Sequence, residues 1–482
     1  MTFCRENAAV QYNYRKEKNK KKEKGKKRHR KKEKEKRKKK EKNIMADYLR
    51  NIVKLQKQGK PVGIYSACTG NRLVLEACMR HALKTGTVLL IKSTANQVDQ
   101  YGGYTGMKPA DFMEMCKELA REVGMPMDRI ILGGDHLGPL TFAGYDEEKA
   151  MSEARELIRQ YVAAGFTKIH IDTSMKVASD DPDTRLADEV IARRGAELAK
   201  VAEDTYAELE KQNPEAVHPV YIVGSEVPIP GGSQDAVDQG VQVTKVSDFK
   251  ATVETFKKAF AEHDVADAWN YVIAVVVQPG VEEKDAGCTE YIREKATELS
   301  AAIREFPNLV FEAHSTDYQT KFKLRELVED GAGILKVGPG LTLALREGLF
   351  ALANAERELY KDEPEKQSYF IEILDRSMLK NPKYFAKYYY GTPGEIAYKR
   401  KYSFSDRCRY YYANPEVEEA VDKLFDNFKD GVPLGLLSQF MPIQYTKVRE
   451  GQLKNDPKEL VMDRVMNCID EYLYGSQQQM LG

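Results

Sequence analysis

The chain has 482 residues, 75 Lys/Arg and 74 Asp/Glu, and a formal net charge of +1. That balance is uneven: residues 1–44 carry 21 Lys/Arg against 6 Glu, leaving 54 basic and 68 acidic groups beyond them. No apolar run reaches bilayer-spanning length, and no apolar core with a cleavage site follows the basic start, so neither a membrane protein nor a secreted one is expected.

Seven cysteines lie scattered without a CxxC pair, the usage of reduced thiols in a cytoplasmic protein. The segment 16–43 is low-complexity and nearly devoid of apolar residues, which predicts a disordered basic tail over 1–44. No aromatic residues interleave its charges, so nucleic acid is not an expected partner. Met45 opens an amphipathic helix and is a plausible point of initiation.

Eight short apolar runs then recur: VGIYSA (62–67), TVLLIKS (87–93), RIILGGDH (129–136), KIHIDTS (168–174), VYIVGSE (220–226), YVIAVVVQ (271–278), LVFEAH (309–314) and GILKVGP (333–339). Helical patterning separates them, as in LVLEACMRHALK (73–84) and EEKAMSEARELIRQYVAAG (147–165). This alternation predicts a (β/α)8 TIM barrel over 45–360, with its chemistry at the C-terminal ends of the strands. Residues 361–482, rich in Tyr and charge, are expected to form a helical C-terminal extension packed on the barrel or used in assembly.

The strand ends supply candidate site residues. GGDHLGP (133–139) places Asp135 and His136 at the mouth, its two glycines letting the backbone bend, with the imidazole as metal ligand and Asp135 as catalytic base. Glu226 ends strand five and His314 ends strand seven. His136, Glu226 and His314 together make a divalent-metal set, with Zn2+ the first expectation. On strand four His170 and Asp172 share a face. Asp172, nearer the strand end, is the catalytic or hydroxyl-holding candidate, and His170 reads as a packed core histidine.

For substrate, Ser66, Gln278, and Asn96 and Gln97 of the polar loop STANQVDQYGGYTGM (93–107) are expected contacts. Ser315, Lys336 and Gly338, with Gly340 and Thr342, are expected to cradle a phosphate after strands seven and eight. SDDPDTR (179–185) reads either as a lid carrying Arg185 toward a phosphate or as an exposed acidic loop. There is no GxxxxGK[ST] nucleotide loop.

Taken jointly, NQVDQYGGYTGM, ILGGDHLGP, KIHIDTSM, GSEVPIPGG, VVVQPGVE, FEAHSTDYQT, LKVGPGLTLALRE, YSFSDRCRYYY and PLGLLSQFMP resemble the Z-type subunit family of class II tagatose-1,6-bisphosphate aldolases (the GatZ/KbaZ type). The resemblance runs from Met45 to the end. It implies a stabilising subunit in carbohydrate metabolism, working beside a catalytic Y-type subunit. That partner cleaves tagatose 1,6-bisphosphate to glycerone phosphate and glyceraldehyde 3-phosphate. It also implies a homo- or hetero-oligomer. By position, Asp135-His136 match the aldolase Asp-His pair, Glu226 stands where catalytic aldolases carry a histidine, and His314 matches another ligand. One turn departs: Cys68, Thr69, Gly70, Asn71 and Arg72 stand where galactitol-pathway members read Cys-Ser-Ala-His-Pro. This departure keeps an alternative in view, a stand-alone metal-dependent C4 epimerase of fructose 6-phosphate and tagatose 6-phosphate, acting by retro-aldol cleavage and re-closure.

Overall fold

A computed structural model describes residues 48–224 and 241–481. The basic tail and Glu226 lie outside the described residues. All eight apolar runs become strands of one closed, all-parallel barrel: β1 (Ile64–Cys68), β2 (Leu89–Thr94), β3 (Ile130–Leu137), β4 (Lys168–Ile171), β5 (Val220–Val223), β6 (Val272–Val277), and, after a small hairpin, β9 (Val310–Ala313) and β10 (Ala332–Val337). The order is β1-β10-β9-β6-β5-β4-β3-β2. Both faces of such strands are covered, which is why they read as near-continuous apolar stretches. The hairpin, β7 (Glu282–Lys284) and β8 (Gly287–Thr289), is antiparallel and was not anticipated.

The crossover helices are α1 (Arg72–Thr85), α2 (Pro109–Val123), α3 (Glu147–Ala163), α4 (Asp188–Gln212), α5 (Val246–Glu262), α6 (Arg293–Ala302), α7 (Lys321–Glu329) and α8 (Pro339–Leu359). Their ends follow local chemistry. The Asn71 side chain accepts from the Val74 N–H at the start of α1, and Gly86 closes it in the left-handed conformation.

Beyond α8 come α9 (Phe370–Lys380), α10 (Pro393–Tyr402), α11 (Pro415–Asn427), α12 (Leu434–Phe440), α13 (Pro442–Arg449) and α14 (Pro457–Ser476). The last of these packs on α1, α7 and α8 and reaches β1 and β10, the seam where the barrel closes. Gly475 permits that approach, since a Cβ there would lie 2.5 Å from the Leu324 Cβ. The Tyr472 hydroxyl donates to the Thr316 carbonyl at 2.9 Å. Leu49–Gly482 therefore forms one compact unit. Among the described residues no helix is long and apolar enough to cross a membrane.

The barrel interior departs from an apolar filling. Lys92, Gly133 and Lys168 are register partners on β2, β3 and β4, and both lysines are fully buried. A Cβ on Gly133 would meet the Lys168 Cδ at 3.0 Å and the Lys92 Cγ at 3.2 Å, so the glycine makes room for two lysine stems. On the opposite face, a Cβ on Gly134 would lie 2.4 Å from the Leu137 Cδ1. The glycine pair sits within β3, directly before a register shift between Gly134 and Leu137 where the strand departs from regular pairing.

Candidate active site at the barrel mouth

Glu312, on β9, is the hub of the buried charges. Its carboxylate takes the Lys92 ammonium at 2.5 Å and that of Lys168 at 2.6 Å. Asp135, at the end of β3, takes Lys92 at 2.7 Å and Lys336 at 2.6 Å. Burial pushes both carboxyls up, but the ammonium groups outweigh it. Asp135 is held well below the usual range by Lys336 and Lys92, and Glu312 by Lys168 and Lys92. A carboxylate so stabilised is a poor base at neutral pH, so the arrangement favours Asp135 as a fixed negative charge over the general base its sequence position suggested.

Three imidazoles stand above this layer. Ring centroids are 5.0 Å apart for His136–His170, 5.0 Å for His136–His314 and 5.3 Å for His170–His314. Each ring has an oxygen partner on one nitrogen, and His170 has a second, Asp135 Oδ1 at 3.0 Å from its Nδ1. His136 Nδ1 meets Asp172 Oδ2 at 2.7 Å, His170 Nε2 donates to the Gly224 carbonyl at 2.9 Å, and His314 Nε2 meets Glu312 Oε1 at 2.9 Å. His170 Nδ1 also accepts the His136 backbone N–H at 3.2 Å. His170 is thus fully buried with its hydrogen bonds satisfied, and it lies next to His136 beneath the cavity rather than in its lining.

Burial, reinforced by Lys336, lowers the pKa of His136 and, more strongly, that of His314, favouring neutral rings. Although burial opposes it, the hydrogen bond from His136 holds the Asp172 carboxyl below its ordinary value. His136 itself has φ 49° and Ser315 φ 51°, left-handed backbone at non-glycine positions where two strands end at the mouth. Gly138 brings β3 and β4 together there, because a Cβ would fall 1.8 Å from the Asp172 carbonyl oxygen.

Could these residues hold a divalent ion? Donor atoms of His136, His170 and Asp172 lie within 4.8 Å of one another, and so do those of Asp135, His170, Glu312 and His314. Zinc–nitrogen bonds of roughly 2.1 Å, with about 1.1 Å from nitrogen to ring centre, put imidazole centroids about 5.3 Å apart in a tetrahedral set. The observed centroid spacing is of that size, although neither donor group contains all three rings. Oxygen partners on the far nitrogens are the usual support of metal-binding imidazoles. Either donor group has the chemistry for a cation, with two qualifications: the Lys336 ammonium lies 3.0 Å from His136 Nε2, so ion and ammonium compete for one lone pair, and His170 Nδ1 already accepts the His136 N–H.

A cavity of about 600 Å³ opens beside this cluster, within the range of small-molecule sites. Of the sequence candidates, Asn96, Gln97, His136, Ser315, Lys336 and Gly338 line it. Ser66 and Gln278 do not. The Ser66 hydroxyl faces the Leu335 carbonyl inside the sheet, and the Gln278 side chain accepts from the Gly280 and Val281 N–H groups to build a turn. Asp172 does not line the cavity either and contacts His136 behind the lining. Arg185 pairs with Asp188 on the surface, leaving the lid reading of its loop without support.

The phosphate cradle is also corrected. Asp317 Oδ1 already accepts the Gly338 N–H at 2.9 Å and the Gly340 N–H at 2.6 Å, while the Thr342 hydroxyl donates to Asp406. Burial and neighbouring Glu283 raise the Asp317 carboxyl to about 7, against the pull of those two N–H groups.

Sequence reading missed Glu283 and Asp317, and it missed the wall that the extension supplies: Lys383, Tyr384, Lys387, Tyr388, Arg407, Arg409 and Tyr410. The early signal was YSFSDRCRYYY (402–412), in which two arginines lead into three tyrosines.

Fold and site define a (β/α)8 barrel protein with a polar, charge-paired cavity at the C-terminal ends of its strands. A family model described as D-tagatose-1,6-bisphosphate aldolase subunit GatZ/KbaZ-like matches residues 49–477, and the chain belongs to that family. A relative from Salmonella heidelberg named D-tagatose-1,6-bisphosphate aldolase subunit GatZ is 46% identical over 428 residues, 89% of this chain and 99% of its own. The equivalent protein of Salmonella agona is 45% identical over the same length. Among solved structures, one described as a probable tagatose 6 phosphate kinase from Sinorhizobium meliloti is 40% identical with a TM-score of 0.77, covering 86% of this chain and 100% of that one.

Proposed function

We propose that the chain is the stabilising Z-type subunit of a tagatose-1,6-bisphosphate aldolase, acting beside a separate catalytic subunit on a sugar phosphate. Family membership across barrel and extension supports this reading. The observation that carries it is the double contact of Lys336, 2.6 Å from Asp135 and 3.0 Å from His136 Nε2. A cation that must displace an ammonium is held weakly, which suits a subunit that retains the barrel's binding geometry but leaves principal turnover to its partner.

A divalent ion, Zn2+ first, would be held by His136 and His314, with Glu226 as the further ligand the sequence suggests. When bound it would supply polarisation of a sugar carbonyl. The chain's own residues do the rest. Asp172 fixes the His136 tautomer, Asp135 holds Lys336 in place, and Asn96, Gln97 and Ser315 offer neutral partners to hydroxyls.

The test is to assay the purified chain alone and mixed with the catalytic subunit, on tagatose 1,6-bisphosphate and fructose 6-phosphate. Expected are no turnover alone, and a higher rate and melting temperature for the partner on mixing. Turnover of either sugar by the chain alone would overturn the assignment.

A further inference from the structure

The place where barrels of this kind usually hold a phosphate, the amides beginning the helix after the last strand, is filled here from within. Asp317 takes both the Gly338 and Gly340 N–H groups. A phosphate arriving there would have to expel a carboxylate and then face Glu283, which lines the same cavity. Like charges make that end of the cavity hostile to a dianion.

Positive charge has moved to the opposite wall. Lys383, Lys387 and Arg409, all from the C-terminal extension, line the cavity beside Tyr384 and Tyr410. Arg409 is half-buried. Its guanidinium is oriented by the Ser405 and Asp406 backbone carbonyls and by the Tyr410 hydroxyl at 3.0 Å. The nearest acid in sequence, Asp406, is committed to Arg346 at 2.7 Å and Thr342 at 2.6 Å. Among the described residues no carboxylate pairs with Arg409, Lys383 or Lys387.

A half-buried guanidinium, held by carbonyls and, among the described residues, in ion-pair contact with no carboxylate, is suited to receive an anion. Tyr384 and Tyr410 stack at 4.8 Å and 9°, and Tyr104 of the barrel packs edge-on against Tyr410 at 4.6 Å. These rings tie the wall to the barrel.

We infer that the cavity takes the phosphate group of a sugar phosphate on the extension's wall, at Arg409, Lys383 and Lys387, and not on the amides at the start of α8. The inference rests on the sugar-phosphate reading above and adds where the phosphate sits. The sugar then extends from the wall toward Lys336 and His136 across the cavity floor.

Isothermal titration of the full-length chain with inorganic phosphate, fructose 6-phosphate and unphosphorylated fructose tests this without partner or turnover. Both phosphate probes should bind, the ester more tightly if the sugar contacts the floor, and fructose should give no measurable heat. In Lys383→Met/Lys387→Met, affinity for both phosphate probes should fall about tenfold or more, the scale of losing charge-assisted hydrogen bonds. The melting temperature should hold, because both lysines are exposed. Lys429→Met, remote from the cavity, should bind as the parent does. Unchanged affinity in the double variant, or no phosphate binding by the parent, overturns the inference. A chain that binds as described yet fails to raise its partner's rate overturns the subunit reading alone.

Discussion

Asp317 shows how one side chain can redirect a site. It occupies two amides suited to phosphate, and burial next to Glu283 raises its carboxyl to about 7. The unfolded carboxyl titrates near 3.9, so folding takes up a proton between these values. The stability this proton confers is complete below about pH 4 and is lost as pH rises toward about 7. Urea unfolding at several pH values should therefore show the parent losing stability across that window relative to Asp317→Asn, whose profile stays flatter. A parent that gains stability relative to the amide over the same range would contradict the raised value. At this scale the sequence was informative about residue types at strand ends and silent on partners. Ser315, Lys336 and Gly338 could be placed near the mouth, but nothing local to them announced that Asp317 would claim the glycine amides.

Strand β3 is the element on which sequence and structure diverge most usefully. GGDH stood out because two glycines before a chargeable pair are unusual in an apolar run. Their reason lies on neighbouring strands, where Lys92 and Lys168 need the space that a side chain at Gly133 would fill. Lysines within or beside apolar runs read as strand ends. Their partner Glu312 lies 220 residues from Lys92 and 144 from Lys168, and separation of that order carries no periodic signature. The eight strands themselves were legible because burial on both faces leaves a run of apolar residues whatever the register. Glu312→Gln leaves two buried ammonium groups without their shared charge. It should cost about 3–5 kcal/mol in urea unfolding, the scale of breaking a buried ion pair from one side. A loss below about 1 kcal/mol, the exposed-pair scale, would show that the layer is solvated.

For the whole molecule, the decisive element is the one sequence patterning described least, the extension after α8. It was expected to pack on the barrel or serve assembly. It packs on the barrel, and it also completes the cavity wall, which neither alternative contained. Short helices with weak periodicity reveal little about what they face, and the basic and aromatic residues of 383–410 reach the mouth only through tertiary packing. A chain ending at residue 456 lacks α14 and uncovers α1, α7 and α8. It should be insoluble, or should lose its near-ultraviolet dichroism. A soluble product with native dichroism would show the barrel to be self-sufficient.

That strap over the seam has a temporal consequence. The first and last strands of the barrel can pair once Ala332–Val337 is made, but the helix that covers their junction, Pro457–Ser476, is synthesised well after them. Until then the nascent protein displays the apolar backs of three helices, a surface for chaperones to hold and for proteases to test. A stop codon ahead of Pro457 should therefore remove the protein from the cell and not merely blunt its activity.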